Sequence, residues 1–185
     1  PCFCTRGTIR AELQRMAGAP QGPDGPLYPG TCRPLPAAER QARIAAGEPH
    51  AWRLDAARAA AEAGPLSFTD LTAGTFAVDP ALHGDVPLSR KEIDTVAYHL
   101  AVVLDDARQG VTLVTRGEDL LPACHLHRLL QALLGLPVPR WQHHRLVTDA
   151  AGRRLAKRDD ALAIGTLREQ GLPADAVLRC AGIAP

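Results

Sequence analysis

Apolar positions in this chain fall into short runs, and their spacing predicts alternating strands and helices. Val111–Thr115 is β-branched and reads as a strand that delivers the charged sequence Arg116-Gly117-Glu118-Asp119. Leu120–Leu134 is apolar at helical spacing, with Leu121, His125, Leu129 and Leu133 along one row and Leu126 and Leu130 beside it. Pro122 suits its first turn, Glu118 and Asp119 suit its N-terminal dipole, and Gly135 with Pro137 stops it. Arg140–Val147 is the next predicted strand.

Earlier in the chain, Thr8–Met16 is a predicted helix with Ile9, Leu13 and Met16 on one face, followed by a turn-rich loop over Gly18–Gly30. Pro36–Ala63 is Ala- and Arg-rich and reads as helical. It breaks near Gly47-Glu48-Pro49, where His50–Leu54 looks like a short strand. Leu66–Leu88 alternates loops and strands around Gly74, Pro80, Gly84 and Pro87. Val96–Leu104 is continuously apolar, and periodicity leaves open whether it is a buried strand or the start of a helix. Asp160–Gln170 and Pro173–Ala181 form a predicted helical hairpin about Gly171.

Composition narrows this picture by exclusion. At 185 residues the chain accommodates one core-bearing domain with a small appendage. A net charge of +1 gives no global attraction to nucleic acid, so any such contact must be local. No apolar run reaches the roughly 18 residues that span a bilayer. Pro1 follows no initiator Met and leads no signal peptide, so the chain reads as beginning partway through a larger protein. The five cysteines, at positions 2, 4, 32, 124 and 180, form no regular disulfide framework. They point to a reducing cytoplasm and to metal-binding or free thiols.

Three constellations could carry chemistry. Cys2, Cys4 and Cys32 supply three thiolates to a segment with few core residues, and zinc wants four ligands; Tyr28, His50 or water could be the fourth. Gly152–Arg158 places Arg153, Arg154, Lys157 and Arg158 on a glycine loop, as neutralising departing pyrophosphate requires, although a lone basic cluster is more often a solvated turn. Only Lys91 and Lys157 are lysines, which singles out Lys157 within that loop. Arg116 directly follows a strand, where α/β sheets present binding groups. It could clamp a carboxylate in bidentate fashion or pair with Glu118 or Asp119 at the surface. Tyr98 could orient a ligand or pack in the core, and His99 is expected in the core. His125, His127, His143 and His144 diverge in direction on a helix and a strand, which favours packing and hydrogen bonding over a second metal site.

Taken together, the strand-RGEDLL-helix unit, PRWQHHRLVTDAAGRRLAKR and the helix ending in LREQG resemble the second half of the catalytic core of the glutamyl-tRNA synthetases, within the class I aminoacyl-tRNA synthetases. LAKR resembles a degenerate Lys-Met-Ser-Lys-Ser loop, with Ala156 in place of a serine. PCFCTR with YPGTCR, and AYHLAVVLDDARQGVTLVTRGEDLL, are similar to the zinc module and glutamate-binding segment of the family's truncated paralogues, which lack the anticodon-reading domain.

The resemblance implies an α/β fold: the second half of a Rossmann-type catalytic domain with a zinc-binding insertion and C-terminal helices. It places the zinc insertion and helical connection at 1–58, the Rossmann-type region at 59–148, and the ATP loop with the helical module at 149–185. It makes Cys2, Cys4, Tyr28 and Cys32 the ligands of one structural zinc, Tyr98 and Arg116 glutamate contacts, and Lys157 the catalytic contact to ATP, which enters with Mg2+. The implied activity is ATP-dependent activation of glutamate and its transfer to queuosine in the anticodon loop of tRNA(Asp), by a cytoplasmic monomer. The alternatives are the catalytic piece of an ordinary glutamyl-tRNA synthetase and a non-catalytic zinc module that binds RNA or protein. The family's first Rossmann strand has no match here, so the chain alone is not expected to activate an amino acid.

Overall fold

A computed structural model describes residues 1–91, 93, 95–148 and 163–182. Helix α1 (Arg6–Arg15) begins where the Thr5 hydroxyl accepts from Thr8 N–H at 3.0 Å. A two-residue hairpin, β1 (Gln21–Gly22) and β2 (Gly25–Pro26), leads to Tyr28, and α2 (Ala37–Ala45) follows. Asp55 caps α3 (Ala56–Ala63) by accepting from Arg58 N–H. Next come β3 (Ser67–Asp70), β4 (Gly74–Ala77), the short pair β5 (Ser89–Arg90) and β6 (Thr95–Val96), and α4 (Tyr98–Gln109). Strand β7 (Leu113–Gly117), a 3-10 turn over Glu118–Leu120, α5 (Ala123–Leu134) and β8 (Arg140–His144) complete the central part. Helices α6 (Ile164–Glu169) and α7 (Ala174–Cys180) lie within the predicted C-terminal hairpin.

The open question at 96–104 resolves as helix from Tyr98 onward, after Val96 has paired in β6. Its polar continuation Asp105-Asp106-Ala107-Arg108-Gln109 extends the segment to twelve residues, longer than ordinary strands. Gly110 (φ 66°) and Gly135 (φ 63°) end α4 and α5 in the left-handed region that only glycine enters readily. In each case the next residue bonds back to the last turn: Val111 N–H to Asp106 and Leu136 N–H to Gln131. The predicted strand at His50–Leu54 is reduced to isolated bridges, Cys2 with Ala51 and Arg53 with Pro87. Those bridges nonetheless stitch the N-terminal segment to the body. The predicted helix 120–134 starts later, because the turn at Glu118–Leu120 is wound as 3-10 and Pro122 sits at the cap.

The main sheet has the order β4-β3-β8-β7. β3 and β4 form an antiparallel hairpin with Phe68 opposite Phe76, while β3 runs parallel to β8 with Asp70 opposite Trp141. Arg140 N–H donates to Thr112 O at 3.0 Å, so β7 and β8 start side by side. This is a mixed α/β architecture built on a parallel pair.

Helix α5 lies against the sheet and buries Cys124, Leu126, His127, Leu129 and Leu130. Phe68, Cys124 and Trp141 make one apolar cluster; Val103, Leu126 and Leu130 make another, which joins α4 to α5. The described residues divide into two compact units, 1–116 with 120–143, and 117–119 with 144–185. In the second, the Arg145 guanidinium donates to the carbonyls of Ala181 and Gly182 at the end of α7, and Leu146 N–H to Glu118.

Phe68 stacks on Phe76 at 5.2 Å between centroids and meets Trp141 and His125 edge-on at 5.6 and 5.0 Å. Truncating it leaves a cavity that three neighbours cannot refill. Phe68→Ala should therefore lower the unfolding free energy by about 3–5 kcal/mol, read from the urea midpoint at constant slope.

Candidate functional site

Two places gather the residues with chemical potential. The first is the cysteine corner. Cys2 and Cys32 are buried, and with Phe3 they form the core of the N-terminal module, flanked by Cys4, Tyr28, Leu35 and Ile44. The three Sγ atoms lie within 4.8 Å of one another, and Cys4 Sγ is 3.4 Å from Cys32 Sγ. Tyr28 Oη accepts from Cys32 N–H at 2.9 Å and sits 3.3 Å from Cys2 Sγ. Ligands 2.3 Å from a tetrahedral zinc stand about 3.8 Å apart, so this donor set fits such an ion.

His50 does not point there: its Nδ1 is 3.0 Å from Glu48 O and its ring lies between Phe3 and Trp52. Burial and the neighbouring Cys32 thiol push Cys4 up to about 11, and burial followed by Cys2 raises the Tyr28 phenol. Cys2 moves the other way. Burial opposes its ionisation, yet Tyr28 and the Arg53 guanidinium outweigh that and lower it. Arg53 also stacks on the Tyr28 ring at 4.0 Å. Among the described residues this is the one cluster of metal-ligating groups.

The second place is the carboxyl end of the parallel strands. Arg116, near the end of β7, is half-buried. Its Nε donates to His143 Nε2 at 3.0 Å and its Nη2 to Cys124 Sγ at 3.0 Å. The guanidinium is thus held by an imidazole and a thiol. His143 in turn meets Asp70, whose Oδ2 lies 2.6 Å from its Nδ1 and accepts its backbone N–H at 3.0 Å. Asp70 Oδ1 takes the N–H groups of Thr72 and Ala73 at 2.9 and 2.7 Å. Burial alone would raise this carboxyl, but the bonds from His143, Ala73 and Thr72 prevail and hold it below its usual range.

Tyr98, the first residue of α4, is 48% exposed and so is not a core residue. Its ring touches His99 and approaches His127 (centroids 5.3 and 6.3 Å). His99 Nδ1 and His127 Nε2 are 3.1 Å apart. Burial lowers both histidines, with His83 the next lowering cause at His99 and Arg116 the next at His127. Lys157 and the rest of Gly152–Arg158 lie outside the described residues. The other histidines have hydrogen-bonding work of their own: His125 Nδ1 accepts from Asp79 N–H, and His144 Nδ1 lies 2.9 Å from Arg145 O.

Asp70 and Cys124 were not singled out in the sequence. Asp70 left one trace, an acid on the same parity as buried Phe68 in the strand Ser-Phe-Thr-Asp.

The family model described as "tRNA synthetases class I (E and Q), catalytic domain" matches residues 1–183. The chain belongs to this class I synthetase family. Among its relatives, the glutamyl-Q tRNA(Asp) synthetase of Rhodobacter capsulatus is 47% identical over 181 residues, covering 94% of this chain and 63% of the relative. The protein of the same name from Nocardia farcinica is 44% identical over 184 residues, covering 96% and 52%. Among solved structures, a glutamate tRNA ligase from Elizabethkingia meningosepticum in complex with its amino acid superposes with a TM-score of 0.66 at 26% identity, covering 93% of this chain and 33% of that one. The synthetase segment described here thus spans about half to two thirds of the length of these two relatives.

His127 supplies a test of the site's electrostatics. Burial, then Arg116, then His99 lower it from 6.5 to about 3. Between those values the unfolded chain binds the extra proton, so stability falls as pH drops, by at most about 1.4 kcal/mol per pH unit from this group. NMR titration should find its ring neutral at pH 5, and His127→Gln should flatten the acid limb of the stability profile. A ring titrating near 6.5 would contradict this burial.

Proposed function

We propose that the protein carrying this chain uses ATP to activate glutamate as its adenylate and then transfers the glutamyl group to queuosine in the anticodon loop of tRNA(Asp). The observation that carries the reading is the 47% and 44% identity, over nearly the whole chain, to proteins named for that activity. The site is consistent with it. Arg116 is a half-buried cation at the carboxyl end of a strand, where open α/β sheets bind ligands. Its fork suits a glutamate carboxylate, with the exposed Tyr98 as a second contact.

In the first step a carboxylate oxygen of glutamate attacks the α-phosphorus of ATP and pyrophosphate leaves. In the second a hydroxyl of queuosine attacks the activated carbonyl and AMP leaves. Catalysis then rests on positioning and on electrostatic stabilisation at phosphorus, with Lys157 as the ATP contact and Mg2+ accompanying the nucleotide. Cys2, Cys4, Tyr28 and Cys32 hold one structural zinc that staples residues 1–58. The enzyme works as a monomer in the cytoplasm.

The deciding experiment is aminoacylation by the full-length protein with tRNA(Asp) that contains or lacks queuosine, and with tRNA(Glu). Charging confined to the queuosine-containing tRNA is expected; charging of tRNA(Glu) would turn the assignment to an ordinary glutamyl-tRNA synthetase. In glutamate-dependent pyrophosphate exchange, Arg116→Ala should raise the glutamate KM at least tenfold, about 1.4 kcal/mol of binding. Metal analysis of purified protein should give close to one zinc per chain, lost in Cys32→Ser. A zinc content near zero in the wild type would remove the staple.

A further inference from the structure

We propose that Asp70 and His143 are positioning residues for Arg116, forming a relay across three adjacent strands that presets its guanidinium for an anionic ligand. The identity of that ligand as glutamate rests on the function proposed above; the relay rests on geometry. Asp70 ends β3, His143 is the penultimate residue of β8 and Arg116 the penultimate residue of β7, in a sheet where β8 lies between the other two. Side chains from three neighbouring strands thus meet at one end of the sheet.

The direction of each bond follows from chemistry. A guanidinium Nε carries its hydrogen at every accessible pH and can only donate. His143 Nε2, 3.0 Å away, must therefore accept, which leaves the ring proton on Nδ1. That N–H points at Asp70 Oδ2 across 2.6 Å. The pair is sealed from water, with side-chain exposures of 2% for His143 and 0% for Asp70. With Thr72, Ala73 and the His143 backbone also donating, the carboxylate has its four acceptor positions filled.

An acceptor at the far side of an imidazole fixes its tautomer and strengthens the basicity of the exposed nitrogen, the same arrangement that orients histidines on metals. Here the oriented group is a cation. Cys124 Sγ takes a second guanidinium hydrogen, from Nη2. Arg116 is pinned along its Nε–Nη2 edge, so its rotamers are settled before the ligand arrives.

A purely structural strand tie predicts a different response to two substitutions. His143→Asn keeps an N–H donor for Asp70 and loses the acceptor for Arg116. His143→Gln reaches towards Arg116 with its amide oxygen but loses the bond to Asp70. If the relay positions Arg116, the Asn variant should raise the glutamate KM about tenfold with kcat within twofold in pyrophosphate exchange, while Gln stays within threefold of wild type, even where Gln is the less stable protein. A KM that simply follows stability, with Gln worse than Asn, would overturn the relay. The Arg116 Nε–H signal in 15N NMR, recorded without ligand, gives the second readout. It should be protected from exchange in wild type and Gln and unprotected in Asn; equal protection in all three also overturns the proposal. Spectra in the expected order from a protein with no glutamate-dependent exchange would leave the relay standing and reject the glutamate reading.

Discussion

The carboxyl end of the sheet depends on a single buried charge. Asp70 is 1% exposed, and an unpaired carboxylate there would cost several kcal/mol. Folding removes that cost by aiming four N–H donors at it: two from its own turn, one from the β8 backbone and one from the His143 ring. The arrangement also sets the register of β3 against β8. A slip of one residue in β8 would turn Gln142 and His144 inward in place of Trp141 and His143, emptying the Phe68 cluster and orphaning the carboxylate together. The carboxyl is held below its ordinary range, so its contribution is present at neutral pH and is lost only as acid protonates it below that range.

The cysteine corner meets a related difficulty with different chemistry. The module's buried core is little more than Cys2, Phe3 and Cys32, too small to hold a loop-rich segment by apolar burial. Its ties to the body include the Cys2–Ala51 bridge, the Lys91 ammonium donating to Phe3 O at 2.8 Å and the Arg33–Asp85 ion pair. Arg43 adds internal support by stacking on Phe3 while forking onto Glu48. Three converging thiols and a phenol gain most from a shared cation, because ligation releases their protons and turns four weakly bonded polar groups into one crosslink.

Much of this was legible in the sequence wherever the information is local. The β-branched run before Arg116, the apolar row of α5 and the glycine stop at 135 depend on neighbours within a few residues, and the structure has those elements with shifted ends. The state of 96–104 was not legible, because a continuous apolar run has no period; its polar tail decides the matter. His50–Leu54 has strand composition but meets partners only through single bridges, which no local pattern reveals. Arg116 meets His143 and Cys124, 27 and 8 residues away, and the first of these contacts is beyond any local pattern. Asp70 and His143 stand 73 residues apart, and their meeting is a property of strand order.

Strand order also explains why an imidazole stands between the two charges. Had Arg116 reached Asp70 directly, the pair would have neutralised itself in the interior and left no positive charge for a ligand. A neutral ring between them satisfies the buried carboxylate on one side and the guanidinium Nε–H on the other without adding charge of its own. The nearby histidines reinforce this, since burial, joined by His83 at His99 and by Arg116 at His127, lowers both and disfavours a second cation there. What remains at the carboxyl end of β7 is a half-buried guanidinium whose orientation is fixed by an imidazole and a thiol.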